Sequence, residues 1–129
     1  MRTVEHFINE ISPSLTAFRR TFHQKPELGF TEYVTTYLIG KELINLGFTI
    51  HLGKDALEST ERMGVPSPND LTKQEELAIK EGVEKSWLDK MKGGHTGLAA
   101  TFDTGKPGPH TAFRFDIDAL PIKESDDPD

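Results

Sequence analysis

Asp116 and Asp118 stand two positions apart in the stretch FRFDIDALPI, with Arg114 before them and Pro121 after. On an extended backbone their side chains leave the same face, with Cα atoms roughly 6.5–7 Å apart. At that spacing two carboxylates repel by about 2–3 kcal/mol at an effective dielectric of about 20. In water the repulsion is screened. At the buried end of a core strand it needs a cation, a proton or an arginine to offset it. The pair therefore reads either as part of a metal or acid–base site or as a solvated loop ended by Pro121, and the pattern alone leaves both open.

The remaining chemistry-bearing side chains do not cluster. His6, His23, His51, His95 and His110 show no His-x-x-x-His or His-x-His spacing, so each by itself reads as a surface or packing residue. There is no cysteine, which excludes a disulfide framework, a thiol nucleophile and a thiolate metal site within these residues. A Gly-x-Ser-x-Gly elbow and a Gly-x-Gly-x-x-Gly fingerprint are both missing. Gly105, Lys106 and Gly108 imitate a phosphate loop in composition, but no helix follows to lend its dipole.

The elements that would position the aspartates follow from periodicity. Val4, Phe7, Ile8, Ile11, Leu15, Phe18 and Phe22 fall on one helical stripe. Ser12-Pro13 interrupts it: Ser12 caps a helix starting at Pro13, or one longer helix kinks there. The stripe stays in phase across the proline, which favours the second. Pro26 and Gly29 then end the helix. Thr31 is expected to cap a second helix that buries Val34, Leu38, Ile39, Leu43 and Leu46 and stops at a left-handed Gly47.

FTIHL, residues 48–52, alternates as a short strand. A loop-and-helix insertion is expected over about 53–94: loop to Asp70, then a polar helix opened by a Thr72/Glu75 capping box. That helix should run to about Met91, pack lightly through Leu77, Leu88, Met91 and Trp87, and stop at Gly93-Gly94. Two further strands are expected at 97–102 and 111–115, joined as an antiparallel pair across the turn-rich DTGKPGPH. The expected class is α/β, with amphipathic helices packed on a partial mixed β-sheet. Two helices over three strands leave a sheet edge open, which predicts self-association or marginal stability.

Composition bounds the partners. The 129 residues are enough for one domain, and 35% hydrophobic with 28% charged suits a soluble globular chain. A formal charge of -6 argues against nucleic acid, whose phosphates need clustered cations. Arg19, Arg20, Lys25 and Lys41 are dispersed among acids and read as solvated helix faces. No apolar run reaches the roughly 20 residues of a membrane span, and MRTVEHFINEISPSL lacks the pattern of a secretory signal. A cytoplasmic location is the resulting expectation.

FRRTFHQKPELGFTE, LGF and GHTGLAATFDTGKPGPHTAFRFDIDALPI together resemble the opening of the M20 metallopeptidase family in its amidohydrolase branch. The matching residues are Arg19, Arg20, His23, Pro26, Glu27, Leu28 and Gly29, then Gly105 to Pro109, then Arg114, Asp116, Asp118, Ala119, Leu120 and Pro121. The insertion is similar to that of members acting on p-aminobenzoyl-glutamate. The resemblance implies the N-terminal segment of a zinc-peptidase-like catalytic domain, part of an enzyme interrupted elsewhere by a smaller dimerisation domain.

It further implies hydrolysis of p-aminobenzoyl-glutamate or a similar N-acyl amino acid, with a water on a divalent metal (manganese or zinc) attacking the amide carbon and a glutamate as base. In the wider family the strand ends in a His-x-Asp, with the histidine a metal ligand. Here Asp116 takes the histidine's place, as it does throughout this branch. The branch's ligands come from later segments that are not among these residues. Asp118 is therefore expected at most to support a site from behind the ligands, and no metal ligand is expected within the segment. His23, Glu27, Gly29, Arg114, Asp116 and Pro121 are expected to be structural. The segment alone should be inactive, and the full enzyme a homo- or hetero-oligomer. The alternative is a non-catalytic interaction module, or the product of a truncated reading frame, that pairs through open strand edges.

Overall fold

In the computed structural model, which describes residues 2–122 and Ser125, the first helix opens where the Thr3 hydroxyl accepts the amide hydrogen of His6. Helix α1 runs from Val4–Gln24 with Pro13 inside it. The continuous alternative is the one adopted. Just past the proline, the Ser14 hydroxyl donates to the Ile11 carbonyl at 2.7 Å. The apolar stripe is present, and Phe18 and Phe22 meet edge-on with ring centroids 4.7 Å apart, yet none of the α1 residues is buried.

The chain divides into two compact units, one holding α1 through Pro26 with the chain from Leu120 onward, the other Glu27–Ala119. In the second unit, helix α2 spans Tyr33–Asn45 with Glu32 as the flanking residue. The expected Thr31 cap is not made, because the Thr31 hydroxyl instead donates back to the Leu28 carbonyl at 2.7 Å. At the far end the glycine stop is as expected, but Leu46, expected on the buried side, is exposed, and the residues of α2 that are buried are Tyr33, Thr35, Thr36 and Gly40. Gly47 takes φ +90°, and the amides of Gly47 and Phe48 close on the carbonyls of Ile44 and Leu43, the paired-bond ending that a left-handed glycine permits.

Strand β1, Thr49–Leu52, follows at once and pairs antiparallel with strand β2, Leu98–Thr101, with Thr49 opposite Thr101 and Leu52 opposite Leu98. The Phe48 and Phe102 rings continue the pairing beyond the ladder, 5.1 Å apart. The α/β class stands, but the sheet is narrower than expected and antiparallel. Residues 111–115 form no strand and are exposed throughout. Their alternation meets no neighbouring strand among the described residues, and the rings of Phe113 and Phe115 lie near-parallel, 6.4 Å apart.

Between the strands, the expected single helix is two. Helix α3 covers Pro68–Lys80 and helix α4 covers Lys85–Met91. Ser67 is the cap, exchanging hydrogen bonds with Asp70, and Pro68 takes the first helical position, where its missing N–H costs nothing. Thr72 is already mid-helix and donates to the Pro68 carbonyl. The break comes at Gly82, φ +94°, where Gly82 and Val83 close on Ile79 and Ala78 in the same manner as at Gly47.

These helices do not pack lightly. Ala78, Val83, Leu88 and Met91 form the core with Tyr33, and Val34, Tyr37 and Trp87 pack around it. At Gly40 an added Cβ would lie 2.5 Å from the Trp87 ring, so the glycine is what lets α2 receive that indole.

Candidate functional site

The turn from Glu27 to Glu32 is tied to the backbone next to Asp118 through Glu27 and feels the Asp118 charge at Glu32. The Glu27 carboxylate accepts the amide hydrogens of Val34 at 3.0 Å and Thr35 at 2.7 Å, one on each oxygen. These amides belong to the first turn of α2 and have no carbonyl partner within the helix. Glu27 thus caps a helix that begins six residues downstream. Its main-chain carbonyl accepts the amide of Ala119 at 2.8 Å. Burial raises its pKa, and the backbone donors pull it partly back.

Glu32 is buried, and its carboxylate accepts a short hydrogen bond from the Thr96 hydroxyl. Burial raises its pKa against the pull of that bond, and the charges of Asp118 and Glu27 raise it further. The tightest point of the turn is Phe30, a non-glycine residue at φ +64°. That conformation costs about 1–2 kcal/mol for a residue with a Cβ. Gly29, expected to supply the turn, has no positive φ and open space around it; the left-handed residue is its neighbour.

A second polar constellation holds the chain between α4 and β2. The Tyr33 hydroxyl accepts from the Gly94 amide and donates to Glu75, which also accepts from the Gly93 amide at 2.8 Å. Arg62 donates to the Gly93 and Gly94 carbonyls, each at 2.8 Å. His95 is buried with both ring nitrogens engaged: Nδ1 lies 2.8 Å from the Lys92 carbonyl and Nε2 2.8 Å from the Ser59 hydroxyl. A carbonyl can only accept, so Nδ1 donates to Lys92, and Nε2 shares its hydrogen bond with the Ser59 hydroxyl. Of the surface and packing roles the sequence left open for this histidine, it takes the packing one.

The motif residues are divided between the two units. Asp118 is exposed and lies within electrostatic reach of Glu32. Asp116 is exposed too, and its carboxylate pairs with Arg114 at 2.7 Å. His23 is on α1, where its Nε2 accepts from Arg19 at 3.0 Å. Pro121 is exposed in the other unit. Sequence reasoning assigned no role to Thr96 or Tyr33 and read Glu75 only as the capping-box partner of Thr72, whereas the cap of that helix is Ser67. The partners of these three side chains are 18 to 64 residues away in the chain, beyond any local spacing rule.

Among the described residues no group of three or more histidines, aspartates or glutamates is placed to hold a metal ion. Both Glu27 oxygens already accept backbone N–H bonds and Glu32 accepts from Thr96. The acidic residues here do not fit a catalytic cation, which needs three or more protein ligands.

No family model matches the chain. Over 98% of its length it is 39% identical to a p-aminobenzoyl-glutamate hydrolase subunit of Escherichia coli (strain K12), and over the same share 38% identical to indole-3-acetyl-aspartic acid hydrolase of Enterobacter agglomerans. The crystal structure of an aminobenzoyl-glutamate utilization protein from Klebsiella pneumoniae superimposes with a TM-score of 0.86 at 38% identity, over 92% of this chain and 30% of that one. The chain resembles the aminobenzoyl-glutamate hydrolases.

That bears out the resemblance to the M20 amidohydrolase branch, and it extends across the insertion as well as the motifs. Both sequence relatives are hydrolases by name, and the chain spans 29% of the length of each. No helix among the described residues is long and apolar enough to cross a membrane.

Proposed function

We propose that these residues are the N-terminal part of a metal-dependent amidohydrolase of the M20 family. The substrate would be p-aminobenzoyl-glutamate or a similar N-acyl amino acid. The observation that carries this reading is 39% identity over 98% of the chain to a protein named as a p-aminobenzoyl-glutamate hydrolase. The divalent ion, manganese or zinc, and its ligands would lie in residues outside this segment, and the full enzyme would work as a homo- or hetero-oligomer. The segment's own part would be to build a wall: α2 and its capped N-terminus hold the turn whose Glu27 carbonyl binds the Ala119 amide next to Asp118.

On this reading the 129 residues alone do not hydrolyse the amide. The experiment compares release of p-aminobenzoate by this chain and by a longer polypeptide carrying it, each with added manganese or zinc. Turnover only in the longer protein is the expected result. Turnover by the shorter chain would overturn the scaffold reading, and none in either would overturn the amidohydrolase reading.

A second reading is a non-catalytic interaction module, favoured by the exposed rings of Phe113 and Phe115, 80% and 79% accessible. Large apolar side chains side by side at a surface mark contact sites. Strictly monomeric sedimentation, with no partner binding through those rings, would count against it.

A further inference from the structure

Glu27 faces two ways, and the two directions meet different parts of the second unit. Its carboxylate holds the Val34 and Thr35 amides at the start of α2. Its carbonyl holds the Ala119 amide, immediately after Asp118. Among the described residues, that bond is the main-chain hydrogen bond tying residues 103–119 to the rest of their unit. The stretch otherwise forms no ladder.

The chain between the two ends of this connection is tightly determined. Thr31 closes on the Leu28 carbonyl through both its amide, at 2.9 Å, and its hydroxyl, at 2.7 Å. Phe30 is held left-handed, and the Phe30 carbonyl lies where a Cβ on Gly94 would approach to 3.1 Å. Glu32 is bound to Thr96. A shift of the Glu27 backbone would therefore have to disturb the helix cap, the turn and the Thr96 contact together. Such over-determined, strained turns are found where geometry must be kept.

We propose that Glu27 is a positioning residue for Asp118. Its side chain fixes the turn on α2, and its carbonyl carries that fixed position to the backbone of Ala119 and so to Asp118, the residue before it. The consequence for turnover rests on the amidohydrolase reading above; the mechanical coupling does not.

The test uses Glu27→Ala and Glu27→Gln, the second keeping one acceptor oxygen. Amide hydrogen exchange is read in this chain at Val34, Thr35 and Ala119, with Gly97 and Phe48 as references, since these bond to Thr36 and Leu43 instead. In Glu27→Ala, exchange at Val34, Thr35 and Ala119 is expected to speed up together while the references hold, with Glu27→Gln intermediate. In the longer hydrolase, kcat is expected to fall on the order of tenfold with KM unchanged, and Glu27→Gln to recover part of it.

Faster exchange at Val34 and Thr35 with Ala119 unchanged would overturn the proposal, leaving Glu27 as a helix cap only. Unchanged kcat in spite of a released Ala119 would overturn the catalytic consequence. Should Glu27→Ala lose protection everywhere, the same comparison in Glu27→Gln decides. A wild-type longer protein without activity sinks the amidohydrolase reading, while the exchange experiment still judges the coupling.

Discussion

The Tyr33 hydroxyl accepts the amide hydrogen of Gly94 at 3.1 Å, joining the first residue of α2 to the turn that follows α4. The same oxygen donates to Glu75 at 3.2 Å, so one phenol links α2, α3 and the approach to β2. Tyr33 is wholly buried. Burial first, then the neighbouring Glu75 and Glu32 charges, push its ionisation above the ordinary phenol range, and it remains a donor at working pH.

Tyr33→Phe keeps the ring in the core and removes only this junction. The buried Gly94 amide loses its acceptor, which costs about 1–3 kcal/mol. Urea unfolding should show a lower midpoint with an unchanged slope. A midpoint equal to wild type would mean that the Gly94 amide finds another acceptor.

Gly40→Ala sets two effects against each other. Alanine favours a helix interior by about 1 kcal/mol over glycine, but the new Cβ would lie 2.5 Å from a rigid part of the Trp87 ring. Overpacking of that kind costs about 1–3 kcal/mol, so the variant should be less stable, with a shifted emission maximum from the single tryptophan. A more stable variant would show that the indole moves aside freely.

Gly53 and Gly64 both have positive φ, +62° and +78°, but only Gly53 is crowded: a Cβ there would sit 2.1 Å from the Lys90 carbonyl oxygen, whereas at Gly64 the space is open. Gly64→Ala should cost about 1–2 kcal/mol, the left-handed penalty alone. Gly53→Ala adds a clash with backbone and should cost about 3 kcal/mol or more. Thermal unfolding of the two variants side by side checks the ranking.

Glu32 predicts a pH dependence. Burial raises its pKa, so folding favours its protonated form. The stability it contributes is complete below its unfolded pKa and is lost as pH rises through the higher folded value. Glu32→Gln can still accept from Thr96 and carries no charge. Its stability should therefore fall less than wild type between mildly acidic and neutral pH. Glu27 has the same sign and keeps part of the slope in the variant. Parallel curves from denaturant titrations over that interval would refute the assignment.

Local chemistry in the sequence was enough for α1, for the glycine that ends α2 and for β1, because each depends on residues within a turn of one another. Gly82 carries the same stop signal as Gly47, yet the thin apolar line of Leu77, Leu88 and Met91 suggested one continuous surface helix. Leu88 and Met91 join the core only because Tyr33 and Trp87 come to meet them, a fact of tertiary structure, while Leu77 stays exposed. The strand expected at 111–115 shows the reverse error: alternation describes what a segment would bury, and nothing among the described residues is there to receive it.

The Asp116 and Asp118 pair was visible from spacing. What surrounds Asp118 was not. A cap normally sits next to the helix it serves, whereas Glu27 reaches Thr35 across eight positions through a turn whose left-handed residue is Phe30 rather than the adjacent glycine. Glu32 and Thr96 are 64 positions apart.

Those distant fastenings also govern how the chain can assemble and vary. The bonds from Tyr33 to Gly94 and from Glu32 to Thr96 span 61 and 64 positions, so everything between them is enclosed in one long loop that must close before either forms. The entropy of that closure grows only logarithmically, about 0.6 kcal/mol for a doubling in length. Extra residues spliced in at the open bend around Gly64 would therefore leave both clasps fastened, while a single one added between Met91 and Gly97 would pull them out of alignment.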